Sequence, residues 1–226
     1  IHDQFKDYNN IHGPNPLVRL RDGRLLFGFT TEHLTVFDPE TLNHRAVFQD
    51  SLKSFEIWNL DVFEESRDKD CVWIGTRGHG IIKVHLSGKI IQSYDHNFSS
   101  KIGKNPVLCI EEDIDKSIWI GTYGGGLTHL SHDGKAIINY DKNDGLPDDN
   151  VVAILPEGPN KLWIATYNGL SLFNKITKEF QNFYTEDGLS HNEFNFSSFY
   201  KNSEGQFYLG GMNGINAFFP NEIETT

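Results

Sequence analysis

The residues of this chain best suited to chemistry sit in its connectors. They are Trp58, Asn59, Arg77, His79, Tyr123, Tyr167, Asn168, His191, Asn192, Asn195 and Asn213. Aromatic rings stack on the apolar face of a sugar, and Arg, His and Asn supply directed hydrogen bonds. The planar fork of Arg77 also suits a carboxylate or a sulfate. This is binding chemistry. Catalysis finds little support. The ten histidines are scattered, and His129 and His132 stand three apart in a strand-turn context, a weak pattern for a metal. Asp148 and Asp149 are adjacent carboxylates beside Pro147 and read as a solvated loop. There is no nucleophile elbow and no phosphate loop. We expect no cofactor, no bound metal and no catalytic residue.

The elements that position these side chains are repeats. Ile118-Trp119-Ile120-Gly121-Thr122-Tyr123-Gly124-Gly125-Gly126 is a β-type tetrad, a threonine and a glycine turn. The same phrase occurs at Val72-Trp73-Ile74-Gly75-Thr76 and at Leu162-Trp163-Ile164-Ala165-Thr166, with weaker copies at Leu25-Leu26-Phe27-Gly28 and Phe207-Tyr208-Leu209-Gly210. The small residues Gly28, Gly75, Gly121, Ala165 and Gly210 are spaced 47, 46, 44 and 45 residues apart. So regular a period, filled with β-formers, predicts four-stranded propeller blades. The fold class is all-β: a β-propeller, or part of one, of about five blades with a repeat of about 45 residues.

Each repeat divides into strands a to d. Strand a is expected at 17–20, 57–63, 107–111, 151–155 and 194–200, and strand b is the Trp-Ile-Gly segment. Strand c is expected at 33–37, 81–84, 127–130, 170–173 and 215–218, and strand d at 46–48, 90–94, 136–140 and 180–184. The blades then span 14–50, 56–96, 105–142, 150–185 and 193–219, all within one domain. The fifth unit lacks a strand d of its own, because Pro220 argues against continuing the ladder. Phe5-Lys6-Asp7-Tyr8 has the spacing of Ile137-Ile138-Asn139-Tyr140. Residues 1–10 therefore read as a strand d, left over from a preceding blade or closing the last one.

The bulk numbers set limits. The 226 residues fit one large domain, and aromatics at 13% let a sheet protein build a core although hydrophobic residues are only 38%. The formal net charge of −11 repels phosphate backbones, so no nucleic-acid role is expected. No apolar run is long enough to span a bilayer, and no signal peptide opens the sequence. Cys71 and Cys109 give no zinc pattern and no disulfide framework, and read as buried free thiols.

The stretch Asp144-Gly145-Leu146-Pro147-Asp148-Asp149-Asn150-Val151, followed by Leu162-Trp163-Ile164-Ala165-Thr166 and Asn168-Gly169-Leu170, resembles the two-component regulator propeller repeat. Asp187-Gly188-Leu189-Ser190-His191-Asn192-Glu193-Phe194-Asn195, with Gly210 to Phe218 and Pro220, resembles the last blade of such propellers. The resemblance implies a periplasmic sensor region of a hybrid two-component system, of the kind found in Bacteroidetes-type bacteria. It implies an oligosaccharide or similar small ligand, and control of polysaccharide-utilisation genes. It also implies homodimerisation in the full-length sensor, with membrane attachment only through segments outside this sequence. Such propellers usually have seven blades and this sequence has about five, so a closed five-bladed ring and an open arc both remain open.

In a propeller the b–c turns and the d–a loops share one face, the natural ligand surface. The site residues named above lie there. The structural reading stands beside the functional one. Gly124, Gly125, Gly126 and Asn213 read as turn formers, and Trp73, Trp119 and Trp163 as core. His191 to Asn195 reads as loop bonding, whereas Trp58 breaks the repeat pattern. Two rival functions are a propeller lyase or glycosidase with residues around the central channel, and a purely structural interaction module.

Overall fold

The computed structural model describes residues 17–28, 34–47, 60–95, 102 and 105–223. It is a β-propeller built of five antiparallel sheets. Blade one comprises β1 (Leu17–Arg19), β2 (Leu25–Gly28), β3 (Leu34–Phe37) and β4 (His44–Val47). Blade two comprises β5 (Leu60–Glu65), β6 (Cys71–Thr76), β7 (Ile81–His85) and β8 (Lys89–Tyr94). Blade three holds β9 (Val107–Glu112), β10 (Ile118–Thr122), β11 (Gly126–Leu130) and β12 (Ile137–Tyr140). Blade four holds β13 (Val151–Glu157), β14 (Lys161–Thr166), β15 (Gly169–Asn174) and β16 (Phe180–Phe183). Blade five has three strands among the described residues: β17 (Phe194–Lys201), β18 (Phe207–Gly211) and β19 (Gly214–Phe218). Every sheet is a meander in chain order, and the first strands β1, β5, β9, β13 and β17 pack one against the next around a hub.

The apolar core lies between blades. Val72, Ile74 and Val84 of blade two meet Leu26 and Leu34 of blade one. Trp73 and Ile81 meet Val107, Ile110 and Ile120 of blade three. Trp119 and Leu127 meet Ile154, Ile164 and Phe173 of blade four, and Trp163 and Leu170 meet Phe207 and Leu209 of blade five. Each tryptophan thus faces the following blade. The middle strands β6 and β10 are buried at every position, as strands covered on both faces must be. Burial of a ring of this size contributes about 2–3 kcal/mol, so three tryptophans at equivalent places hold the seams.

The small residue of the repeat has a steric reason. A Cβ on Gly121 would lie 2.4 Å from Cys109 Sγ and 2.6 Å from Val151 Cγ1. The neighbouring inner strands cross there. The threonine that follows is fully buried in blades two to four, and its hydroxyl closes the turn: Thr76 Oγ1 donates to Gly80 O at 2.8 Å, and Thr166 Oγ1 to Gly169 O at 2.8 Å.

Several strand limits shift from those expected. Strand a of blade two continues to Glu65 rather than ending at 63, and those of blades three and four extend to Glu112 and Glu157. Glu157, expected in a turn, and Glu65 and Glu112, just past the expected strand ends, continue the ladder, and two of these carboxylates bond across the seams. Glu65 accepts the backbone N–H of Arg21 from the preceding blade through both oxygens, at 2.9 and 3.0 Å. Glu112 accepts the backbone N–H of Arg67 through one oxygen, Oε2. Strand d of blade one begins at His44 rather than at 46. Cys71 and Cys109 are both buried and free. Residues 1–10, Trp58 and Asn59 lie outside the described residues.

Blades one and five each show one covered and one uncovered face. In β18 the burial alternates, with Phe207 and Leu209 buried against blade four and Tyr208 half-exposed. Leu17, at the outer face of blade one, is 62% exposed. Among the described residues β17 packs on β13 and not on β1 as neighbouring inner strands do.

Candidate functional site

The b–c turns of blades two to five put one residue each at the same place on one face. Arg77, Tyr123, Tyr167 and Met212 each follow strand b directly. Their backbones are tied to the start of an inner strand or the residues just before it. Tyr123 N donates to Pro106 O at 2.9 Å, Tyr167 N to Asn150 O at 3.2 Å, and Met212 N to Glu193 O at 3.1 Å. Arg77 forms a bridge with the same Pro106. Pro106 therefore sets Arg77 and Tyr123 side by side. The Tyr123 and Tyr167 rings meet edge to face, with centroids 6.2 Å apart and planes at 75°. The three side chains form a strip across three blades: a guanidinium, then two phenols, with Tyr123 and Arg77 exposed and Tyr167 half-buried. Burial and the neighbouring Tyr123 hold the Tyr167 hydroxyl above the ordinary phenol range, so it remains a donor.

Other expected residues of this face bond within its turns through backbone or side chain, with the His79, Asn168 and Asn195 residues exposed. His79 N and Asn168 N donate to Thr76 Oγ1 and Thr166 Oγ1, at 3.0 and 3.1 Å. His191 Nδ1 accepts from Glu193 N at 3.0 Å, and Asn192 Oδ1 accepts from Thr185 N at 2.8 Å. Asn213 Nδ2 donates to Ser190 O at 3.3 Å, and Asn195 is exposed on β17. Asp148 pairs with Lys142 at 2.9 Å while Asp149 Oδ1 accepts Lys142 N at 3.0 Å, so the carboxylate pair braces its own loop.

Sequence reasoning passed over two features. Met212 shares the repeat position of Arg77 and the two tyrosines, which aligning the copies on strand b would have found. The hub carries buried carboxylates, signalled only by the Glu-Glu pairs that end β5 and β9. Burial pushes the Glu111 carboxyl up to about 7, against the pull of Arg67, and burial with Glu111 and Glu112 nearby pushes Glu64 well above the ordinary range. Beside them Lys83, almost wholly buried, meets Asp68 at 2.5 Å and lies over the Trp73 ring at 5.1 Å. Lys116 meets the same Asp68 at 2.7 Å, and the two cations hold its carboxyl at about 2.

Residues 101–124 match the family model of the two component regulator propeller. The chain carries a two-component regulator propeller repeat. The match covers β9, β10 and the turn residue Tyr123. Among solved structures, the chain is similar to the extracellular domain of a hybrid two component system from B. thetaiotaomicron, with 20% identity and a TM-score of 0.57, over 91% of this chain and 33% of that one. It is also similar to the extracellular domain of a one component system from B. thetaiotaomicron, with 20% identity and a TM-score of 0.70, over 96% of this chain and 31% of the other. At that identity the likeness shows the fold. "Histidine kinase P4" of Formosa agariphila is 30% identical over 82 residues, which is 36% of this chain and 6% of the kinase. The chain thus spans about a third of the length of those structures and a small part of the kinase. No helix among the described residues is long and apolar enough to cross a membrane.

Proposed function

We propose that this chain is part of the periplasmic ligand-sensing region of a hybrid two-component sensor kinase, and that its b–c face binds an oligosaccharide. The observation that carries this reading is the Arg77–Tyr123–Tyr167 strip. Two phenol rings at right angles give a pyranose a stacking surface and an adjoining wall, and their hydroxyls reach its edge. Arg77 adds a planar donor fork at one end. Loop residues on a rigid scaffold are the usual carriers of recognition, and here three blades fix them. The kinship with extracellular sensor domains and with a histidine kinase supports the setting. Binding would act by favouring one arrangement of a homodimeric sensor over another, which requires unequal affinity for the two. The genes controlled would be those for polysaccharide use.

Calorimetric titration against a panel of neutral, uronic and sulfated oligosaccharides, followed by product analysis, tests the proposal. Binding without turnover, weakened about tenfold or more by Tyr167→Ala, is the expected result. Turnover of the bound sugar would favour a propeller lyase or glycosidase instead. Failure of every sugar to bind would leave the structural reading in its place.

A further inference from the structure

The tryptophans of the repeat do not all end on an acid. Trp73, Trp119 and Trp163 stand opposite Glu64, Glu111 and Leu155 in the register of their blades. Two residues further along, the chain carries Ser66, Asp113 and Glu157. The two acids take the indole N–H of their own blade, Asp113 Oδ2 at 3.0 Å and Glu157 Oε2 at 2.8 Å. Asp113 Oδ2 takes an ammonium as well, since Lys175 Nζ lies 2.6 Å away. One oxygen there serves two donors. The serine side chain stops one bond short of a carboxylate oxygen, and Ser66 Oγ already accepts Asp68 N at 3.1 Å.

The seam between blades two and three therefore holds unmatched polar atoms. Trp73 Nε1 and Glu112 Oε1 are buried without a hydrogen-bond partner among the described residues. The first is a donor only, and the second, on a carboxylate, is an acceptor. Both border Lys83. Its Nζ is 3.8 Å from Glu112 Oε1, too far for a hydrogen bond, and 5.1 Å from the centroid of the Trp73 ring. That ammonium gives one of its three hydrogens to Asp68 at 2.5 Å. The residue after Ser66 fixes the other side, because Arg67 N donates to Glu112 Oε2 and Arg67 Nε to Glu112 O, the latter at 3.2 Å. Ser66, Trp73, Lys83 and Glu112 are each at most 3% exposed. A donor and an acceptor left unmet at that depth are both costly, and native proteins rarely leave them so.

We propose that the seam between blades two and three binds one water molecule, in the place that Asp113 Oδ2 holds one seam further on. Its oxygen accepts from Trp73 Nε1 and from Lys83 Nζ, and one of its hydrogens goes to Glu112 Oε1. Three bonds are the usual complement of a buried water. The pattern of donors and acceptors selects the occupant. A halide would take both N–H groups but would meet the Glu112 carboxylate. A metal ion or an ammonium ion would suit Glu112 but would meet the Lys83 ammonium and the indole N–H. The site requires a group that both donates and accepts, and water is the smallest. The site is particular to this seam, because Trp119 and Trp163 have acids of their own.

Two measurements on the whole chain test this. A crystal structure that shows ordered solvent should place an oxygen about 2.7–3.2 Å from Trp73 Nε1, Lys83 Nζ and Glu112 Oε1. In solution, the Trp73 indole proton, identified by its loss in Trp73→Phe, should show a cross-relaxation peak to water of the sign that marks a held molecule rather than proton exchange. The indole protons of Trp119 and Trp163 should show none. Ser66→Asn should remove the Trp73 peak, because the amide oxygen would reach the indole N–H as Asp113 does and the NH2 would face Glu112. Ser66→Ala should keep it. A dry seam in the crystal, no water peak at Trp73, or equal peaks at all three indoles would overturn the proposal. So would survival of the peak in a folded Ser66→Asn chain.

Discussion

Trp119 Nε1 donates to Asp113 Oδ2 at 3.0 Å, from a ring that faces the next blade to a carboxylate just past its own inner strand. The next blade joins the bond: Lys175 Nζ lies 2.6 Å from the same oxygen. Trp163 repeats the arrangement with Glu157 at 2.8 Å. Trp73 does not, because Ser66 stands where the acid would be, and its Nε1 is buried without a protein partner among the described residues. Asp113→Ala should therefore destabilise by about 3 kcal/mol in urea denaturation, since it strands both a buried N–H and a largely buried ammonium. Trp119→Phe should cost about 1 kcal/mol more than Trp73→Phe, which breaks no hydrogen bond between side chains.

The hub carboxylates make stability depend on pH. Glu111 titrates at about 7 when folded, against an ordinary value of 4.5. A raised carboxyl penalises the ionised folded state. Its cost is absent below about 4.5, grows as pH rises, and is complete above about 7. Glu64 acts in the same direction. Glu111→Gln should thus raise the unfolding free energy by about 2–3 kcal/mol at pH 8 and leave it nearly unchanged at pH 4.5. Equal gains at both pH values would show that charge burial is not the cause.

Lys83 has the opposite role. Its ammonium sits between Asp68 at 2.5 Å and the buried Glu112 at 3.8 Å. Lys83→Met keeps the apolar stem over Trp73 but leaves Glu112 without its nearest cation. A loss of about 3 kcal/mol is expected in urea denaturation at pH 7.

Gly126→Ala should be among the costliest single changes in blade three. Gly126 has φ +74°, and an added Cβ would stand 2.2 Å from Tyr140 O in the neighbouring strand. Strain and displaced backbone together should cost about 3 kcal/mol or more, read as a drop in melting temperature. Gly124→Ala, at φ +72° with nothing near, should cost about 1 kcal/mol.

At the proposed sugar face, Tyr123→Ala and Tyr167→Ala should be non-additive in affinity, because their rings touch. A double-mutant cycle by calorimetry should give a coupling of about 1 kcal/mol. Arg77→Ala should weaken uronic or sulfated ligands more than neutral ones.

Much of this fold is legible in the sequence because a propeller repeats itself. Five small residues at a constant period, each flanked by β-formers, place five copies of one sheet without any knowledge of contacts. The tryptophans read as core for the same reason. The ends of the inner strands were harder. Glu65 and Glu112 lie just past the expected strand ends, and each accepts a backbone N–H from the preceding blade. At the candidate site, Arg77, Tyr123 and Tyr167 were visible as oddities in aligned turns. That Pro106 sets Arg77 beside Tyr123, and that the two rings touch, depends on packing between blades and has no local signal.

By itself the sequence determined the blade, since the 2-residue alternation, the glycine turns and the tandem spacing are all local properties. The order of strands followed, because hairpin connectors this short admit only a meander. What the tertiary structure decided was the relation between blades: which ring fills which seam, and which acids and cations meet across it. Packing of that kind is set between neighbouring sheets, and no single repeat contains it.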